Sequence, residues 1–370
     1  MHPLLLAGLA LALVHFAVPL AYYLYLKRRY LHRPWDLRLD PGYQPKVTVI
    51  VPTYMGAKYI VSRLENLYLQ DYPKDKIEVV VIDSASPDGT AKLVEEWAKH
   101  HPDLSVKLVI EPMRKGKLAA ILEGLKHVAE DCEVIIFTDD DCLWDKHAIK
   151  NIVKYFADPL VGAVTSSIRY IGADGAVYNV YREHYNKVRI AESKWWSTPI
   201  HNGPLLAVRK SLLKSVGLPM LPGADDSAIA SYIAFAGYRS IQVDDVYTYE
   251  PLARNQWKRM VRRAVHLSTY FRKLKQYAKQ NGIYRKSPFD TIWRIEAYLH
   301  LINPLLLVTA TTLLIAGAAL GNLVAVALLL LGLALFSLKT FRTWVIHQIY
   351  LVIGLLLSLK THYSTWNRPP

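Results

Sequence analysis

The chain has 370 residues, 52% of them hydrophobic, and 45 Lys and Arg against 31 Asp and Glu give a net charge of +14. That length admits one large domain or two smaller ones, and the hydrophobic share exceeds that of an ordinary soluble domain. Two cysteines, with no Cys or His pair at zinc spacing, exclude a disulfide-stapled scaffold and a zinc module.

Pro3 to Leu26 is a charge-free apolar stretch whose most polar member is His15, and Lys27, Arg28, Arg29 and Arg33 follow it. It is long enough to cross a bilayer. A secretory signal would be shorter and carry its positive charge first. Residues 1–33 therefore read as an uncleaved anchor whose basic flank is cytoplasmic.

From Lys46 to about Val243, β-branched runs alternate with helical patterns. Strands are expected at Val47–Val51, Ile77–Ile82, Val106–Ile110 and Glu133–Phe137. Helices are expected at Ala57–Leu69, Thr90–Lys99 and Lys117–Ala129. Such alternation predicts an α/β domain over 46–250, a mostly parallel sheet with helices on both faces. Pro52-Thr53-Tyr54 closes the first strand, Asp83-Ser84 the second, and Asp139-Asp140-Asp141 the fourth. In a parallel sheet these groups converge on one rim, where α/β proteins bind ligands. The spacing of Asp139 and Asp141 lets two carboxylates reach one hard cation whose other ligands are phosphate oxygens. Lys115-Gly116-Lys117 precedes a helix whose N-terminus favours anions, though a solvated basic turn reads equally well. Cys132 and Cys142 lie at opposite ends of the acidic strand, so no disulfide is expected between them.

Arg254, Lys258 and Arg262 recur every four residues, opposite a stripe of Trp257, Met260, Val261, Ala264 and Val265. Region 251–300 therefore reads as amphipathic interfacial helices on an anionic membrane. Leu301–Leu320 and Leu323–Leu338, separated by Gly321-Asn322, read as a transmembrane hairpin over 301–338 with basic flanks on the cytoplasmic side. Within 339–370, Phe341–Leu359 is either a further span or an interfacial helix, with the interfacial reading preferred. Much of the positive charge abuts apolar segments, so attraction to anionic headgroups accounts for it better than nucleic-acid binding. Basic residues interleaved with aromatics on a strand, as single-strand platforms require, are missing.

The strand ends Val49-Ile50-Val51-Pro52-Thr53-Tyr54, Val81-Ile82-Asp83-Ser84-Ala85-Ser86-Pro87-Asp88-Gly89-Thr90 and Phe137-Thr138-Asp139-Asp140-Asp141, in that order, resemble family 2 glycosyltransferases of the GT-A fold. Gly223-Ala224-Asp225-Asp226 stands at the family's T/G-x-E-D motif. Gln256-Trp257-Lys258-Arg259-Met260 resembles the QxxRW motif of the cellulose- and hyaluronan-synthase-like branch.

The resemblance implies roles. Pro52, Thr53, Asp83, Lys117 and Asp139 would contact the nucleotide of the donor, and Gln256 and Arg259 would close over its diphosphate. Asp141 would hold Mg2+ or Mn2+, while Asp140 takes the family's variable middle position and points to solvent. Asp226 would be the general base, with Asp225 beside it in place of the family's Glu. Asn202 and Gly203 lie in the small-residue loop that meets the acceptor sugar, and Trp196 is either a sugar-stacking platform or a core residue. Plainer alternatives are helix capping for Asp83 and Asp226. Asp244 and Asp245 read as loop acids after the last strand.

The resulting expectation is an inverting, metal-dependent membrane glycosyltransferase with a cytoplasmic catalytic domain. It would move a sugar, best guessed as mannose from GDP-mannose, from a nucleoside-diphosphate sugar to a lipid-linked acceptor. Alternatives are a processive polysaccharide synthase using a UDP-sugar and a non-catalytic nucleotide-sugar binding protein tethered to the bilayer. Met260 in place of the family's Trp, with few spans, argues against extrusion of long polymer.

Overall fold

The computed structural model describes residues 3–171, 175–221, 225–251 and 256–360. Helix α1 (Pro3–Leu26) leads through one wider turn into the α/β domain. There β1 (Val47–Thr53), α2 (Ile60–Tyr68), β2 (Ile77–Asp83), α3 (Thr90–His100), β3 (Ser105–Ile110), α4 (Lys117–Leu125) and β4 (Val134–Phe137) alternate as the periodicity predicts. Then follow β5 (Leu143–Trp144), α5 (Ala148–Val153), β6 (Val161–Ile171), α6 (Gly175–Trp195), β7 (Leu206–Arg209), α7 (Lys210–Ser215), α8 (Asp225–Phe235) and β8 (Arg239–Pro251). The C-terminal third holds α9 (Gln256–Gln280), α10 (Phe289–Leu301), α11 (Asn303–Ala319), α12 (Leu323–Leu335) and α13 (Lys339–Lys360).

All eight strands form one sheet in the order β3-β2-β1-β4-β7-β6-β8-β5. Strands β1 to β4 are mutually parallel where they pair, β7 is antiparallel to both β4 and β6, β6 and β8 run parallel, and β5 is antiparallel to β8. The central strands are covered on both faces, so Val47–Val51 and Ile77–Ile82 are buried at every position and, apart from Thr48 and Glu78, apolar rather than alternating. One core lies under α2, α3 and α5, around Val49, Leu64, Val79 and Ile136. The other lies under α4, α7 and α8, around Ile50, Ile82, Phe137 and Ile233. Each such side chain contributes about 1.5–3 kcal/mol when fully buried. Both cores are built from the same few strands, so the carboxyl ends of β1, β2 and β4 are held in fixed register.

Strand β8 continues through Asp244 and Asp245, which are therefore strand residues rather than loop acids. Asp245 accepts a hydrogen bond from Tyr155 (2.9 Å) and pairs with Lys154, while Asp244 pairs with Lys194 (3.3 Å). Both acids tie β8 to its surroundings.

Among the described residues, three helices are long and apolar enough to cross a membrane: residues 3–31, 289–319 and 339–359. The expected hairpin differs in its second arm. Helix α12 has 13 residues, which at 1.5 Å per residue reach about 20 Å, short of a hydrocarbon core of about 30 Å. Helix α13 has the length of a span, yet it also lies along amphipathic α9. A Cβ on Gly354 would fall 2.4 Å from that of Ala264, so only glycine permits this approach. Trp257 meets Tyr350 and Arg272 donates to Ser358 farther along the same seam. The N-terminal helix joins this group through His15, which meets the Asn303 carbonyl (2.8 Å) and Trp344 (3.1 Å).

Candidate active site

The parallel register places Thr53, Asp83 and the run after β4 on one rim, as the strand-end pattern predicts. Backbone bonds stitch the rim together: Ser84 N–H donates to the Thr53 carbonyl (3.0 Å) and Glu111 N–H to that of Asp83 (2.9 Å). Two non-glycine residues here, Met55 and Ala85, hold left-handed φ values of 53° and 55°. Such conformations persist only where neighbours enforce them, and they cluster at ligand sites.

Asp83 is 1% exposed; its Oδ2 accepts from Ser86 N–H (3.2 Å), and its Oδ1 is buried with no partner among the described residues. A buried carboxylate oxygen left unbonded is costly, so this oxygen is open to a hydrogen-bond donor. Next to it, Ser84 donates to Glu111 (2.6 Å), a buried acid at the end of β3 that strand-end reasoning missed. Arg114 lies over the Tyr54 ring, 3.9 Å from its centroid.

The three acids after β4 differ in what holds them. Asp140 is buried, contrary to its expected solvent-facing position, because Thr53 donates to it (2.6 Å). Gly56 allows that contact, since a Cβ there would fall 2.7 Å from Asp140 Oδ2 and closer still to Thr53. Thr53 is thus committed to Asp140, and Pro52 is a strand residue opposite Ile82. Asp139 and Asp141 stay half-buried at the mouth.

Beneath the acids lies Arg63, fully buried on α2. It donates to Thr138 (3.0 Å) and to the Cys142 carbonyl (3.3 Å), bracketing the run, and its guanidinium covers the Trp144 ring at 4.1 Å. Its position was legible: Ile60, Arg63, Leu64 and Leu67 form one apolar stripe, and a charge in such a stripe must serve something inside.

Lys117, at the N-terminus of α4, reaches Asp139 (2.8 Å) and Asp226 (3.4 Å) at once. Asp225 and Asp226 open α8, where acids are favoured by the helix dipole. The loop Asn202-Gly203-Pro204 closes the cluster: Thr138 and Trp144 each donate to the Pro204 carbonyl at 2.7 Å. A Cβ on Gly203 would lie 2.8 Å from Asp226 Oδ2 and 3.1 Å from Asp139 Oδ2. Side chains of Lys117, Asp139 and Asp226 remain 16%, 31% and 21% exposed, so a substrate can meet all three.

The charges interact strongly. Burial opposes the Lys117 ammonium, but Asp139, Asp226 and Asp225 outweigh it and push its pKa well up. Burial would raise Asp139, yet Lys117 holds it below its ordinary value. Asp226 is raised, by burial first and by Asp139, against the pull of Lys117. Burial, opposed by Lys117 and reinforced by Asp226, carries Asp225 to about 7. A carboxyl near neutrality beside a cleft is suited to proton transfer.

Among the described residues no three His, Cys, Asp or Glu side chains cluster as a self-sufficient metal centre. Two half-exposed carboxylates one residue apart fit instead a divalent cation shared with phosphate oxygens, as magnesium prefers.

Other expected site residues lie elsewhere or are otherwise engaged. Arg259 pairs with Glu250 of β8 (2.9 Å), and Arg263, which sequence reasoning left without a role, approaches the same acid (3.9 Å). Gln256, Gly223 and Ala224 lie outside the residues whose side chains are described. The Asn202 side chain is saturated: it donates to the Ser166 carbonyl (2.7 Å) and Gln242 (3.1 Å) and accepts from Arg182 and Arg189. Trp196 is no acceptor platform. It packs on the core between α8, α9 and α10, under the Arg239 guanidinium at the amino end of β8, whereas the acids sit at the carboxyl ends.

The chain is similar to proteins of known activity. The profile of "Glycosyl transferase family 2" matches residues 48–217. A mannosyltransferase from Pyrobaculum calidifontis, solved with GDP-mannose and Mn2+, superposes with a TM-score of 0.86 at 44% identity, over 96% of this chain and 99% of that one. The dolichyl N-acetyl-alpha-D-glucosaminyl phosphate 3-beta-D-2,3-diacetamido-2,3-dideoxy-beta-D-glucuronosyltransferase of Methanococcus voltae is 35% identical over 89 residues, 24% of this chain and 27% of that protein. The poly(ribitol-phosphate) beta-N-acetylglucosaminyltransferase TarS of Staphylococcus aureus is 29% identical over 150 residues, 40% of this chain and 25% of that protein. The chain spans about a quarter of the length of these two curated relatives. With the sheet order, the strand-end acids and a full-length structural match at 44% identity in agreement, the chain belongs to glycosyl transferase family 2.

Proposed function

We propose that this glycosyltransferase moves mannose from GDP-mannose to a lipid-linked acceptor at the cytoplasmic face of the membrane, with inversion at the anomeric carbon. The observation that carries it is the Asp226–Lys117–Asp139 cluster facing Gly203, in a chain resembling a GDP-mannose-bound mannosyltransferase over nearly its whole length. Apolar helices at both ends support a membrane-borne acceptor.

In this mechanism Asp226 takes the proton from the acceptor hydroxyl as its oxygen forms a bond to the anomeric carbon. The bond from that carbon to the phosphate oxygen breaks, and its electron pair leaves with the nucleoside diphosphate. Attack opposite the leaving group turns an α-linked donor into a β-linked product. Asp141 would hold Mg2+ or Mn2+ together with the diphosphate, with Asp139 beside it at the nucleotide, and the cation would stabilise charge on the leaving group. Lys117 keeps Asp139 ionised and lies within reach of the phosphates. Asp83 offers its bare oxygen to the nucleotide, while Asn202 braces the loop so that Gly203 faces the acceptor.

Binding of GDP-mannose, UDP-glucose and UDP-N-acetylglucosamine to the purified protein with Mn2+, read as thermal shift, tests the donor. GDP-mannose is expected to give the largest shift; a larger one from a UDP-sugar overturns that assignment. Asp226→Asn is expected to lower transfer by about 10²–10⁴-fold, the contribution of general base catalysis, with GDP-mannose binding kept. Near-normal transfer in that variant overturns the base assignment, and long polymer from the purified protein overturns single-sugar transfer.

A further inference from the structure

Between the catalytic acids and the apolar helices lies a group of arginines, of which Arg259 and Arg263 act on Asp139 while Arg182 and Arg189 have no part in the donor chemistry above. Arg182 and Arg189, on α6, both donate to one neutral atom, Asn202 Oδ1. Arg259 and Arg263, on α9, share the single carboxylate of Glu250. The Nε of Arg182 is buried with no partner among the described residues, and so are both ring nitrogens of His201, which is 5% exposed. Glu192, one turn from Arg189, is no counter-charge. It accepts from Tyr22 and Thr198 (2.7 Å each), and burial together with Glu296 pushes its pKa well above the ordinary value.

Burial and Arg182 lower the Arg189 guanidinium to about 10 against the pull of Glu296 and Glu192. Burial also lowers Arg182, where Arg263 and Arg259 add to the repulsion, so this buried cluster gains from an added anion. The surroundings register that field. Burial would raise the Tyr170 phenol, yet Arg182, Arg263 and Arg259 outweigh it and lower its pKa. Burial and then Arg189 push His201 to about 3, so its ring is neutral.

Placement gives the anion a source. Asn202, which receives the two arginines, is the chain neighbour of Gly203, against which Asp226 packs. On the other side, Tyr181, next to Arg182, lies 4.4 Å from the His347 ring of α13, and Tyr22 of α1 bonds α6 through Glu192. An anion here stands beside the catalytic base with apolar helices behind it.

We propose that Arg182 and Arg189 hold the phosphate that joins the acceptor sugar to its lipid, with the lipid chain running toward α1 and α13 and the sugar hydroxyl left free to attack. This rests on the lipid-linked acceptor reading above and adds the site that recognises it. Planar guanidinium groups bind phosphate oxygens through paired hydrogen bonds, so the phosphate would neutralise the cluster and fix the acceptor beside Asp226.

The test uses the full-length protein in detergent, with affinities for phytanyl phosphate, phytanol, inorganic phosphate and GDP-mannose with Mn2+ read by thermal shift. Phytanyl phosphate is expected to bind well above phytanol and inorganic phosphate. Arg182→Gln is expected to weaken phytanyl phosphate by about tenfold or more, as loss of a charged hydrogen bond implies, and to leave GDP-mannose unchanged. Arg182→Lys keeps the charge without the fork and is expected to fall between; if Arg182→Gln fails to fold, unchanged lipid affinity in Arg182→Lys overturns the proposal. Equal loss of GDP-mannose binding in Arg182→Gln would assign the cluster to the donor diphosphate and overturn it. Inorganic phosphate binding as tightly as phytanyl phosphate would overturn the lipid source. A wild-type protein that ignores GDP-mannose but binds phytanyl phosphate would sink the donor reading and support this site.

Discussion

The two halves of the cleft are built in opposite ways. On the β1–β4 side the acidic run is held by nearby partners: Asp140 by Thr53, Asp139 by Lys117, and the turn as a whole by Arg63 from below. On the β6–β8 side arginines from α6 and α9 crowd around Glu250 and one asparagine oxygen, with cations in excess. The first half is preorganised before a ligand arrives; the second is completed by an anion. Preorganised charge needs little rearrangement during reaction, whereas a cluster lacking its counter-charge gains most of its order on binding.

The sharpest way to break this contrast is Lys117→Met. It leaves Asp139 and Asp226 facing one another with no cation between them, and removing one partner of a buried pair costs about 3–5 kcal/mol. Transfer is expected to fall by at least about 10²-fold, with weaker Mn2+-dependent donor binding in calorimetry. A variant with normal donor affinity would mean that the β1–β4 side is not held together by Lys117.

Arg63→Met asks whether anchoring from below matters. Hydrogen bonds to a charged group contribute about 1.5–3 kcal/mol each, so a melting temperature lower by several degrees is expected. Donor affinity is expected to fall with it, because the acidic turn loses its brace; an unchanged melting curve would refute that support. Gly203→Ala probes the seam between the halves. The added methyl meets Asp226 and Asp139 at 2.8 and 3.1 Å, and displacement of a catalytic group by about 1 Å costs up to about 10²-fold in rate. Transfer is expected to drop with little change in melting temperature, and full activity would show that the acids can yield.

The smallest effect is a pH slope. Asp225 titrates near 7 in the folded protein, from an ordinary value of 3.8. The folded state therefore binds this proton more tightly than the unfolded one. Its stabilisation is complete below the ordinary carboxylate range and is lost as pH rises through about 7. Melting temperature in the absence of donor is expected to fall over that window, and Asp225→Asn to flatten the slope. An equally steep slope in the variant would place the titration on another group.

What could be read in advance follows the same division. Thr53, Asp83 and Asp139–Asp141 each close a strand, and parallel strands bring their ends together whatever the loops do, so that rim was legible. Arg63 was written into the α2 stripe as a charge among apolar residues. Asp140 was misjudged, and the choice between two readings of Trp196 stayed open, because neighbours in sequence do not say which way a side chain turns: Thr53 draws Asp140 inward, and Arg239 with the α8–α10 core holds Trp196. The arginine cluster was illegible, since Arg182, Arg189, Asn202, Glu250 and Arg263 come from four segments joined only by packing.

The helical regions divide likewise. Composition alone identified the apolar segments at both ends, because hydrophobic length is a local property. Which of them is long enough to cross a bilayer depended on where turns fall: α12 ends after 13 residues, while α13 keeps the length of a span but lies along α9 at the Gly354–Ala264 contact. Strand alternation, the acidic strand ends and the apolar ends were determined by the sequence itself, since each follows from periodicity within a short window. The pairing of Lys117 with both Asp139 and Asp226, the inward turn of Asp140 and the gathering of arginines from α6 and α9 were decided by tertiary structure. Charges distant in the chain acquire their meaning only when folding removes the water between them.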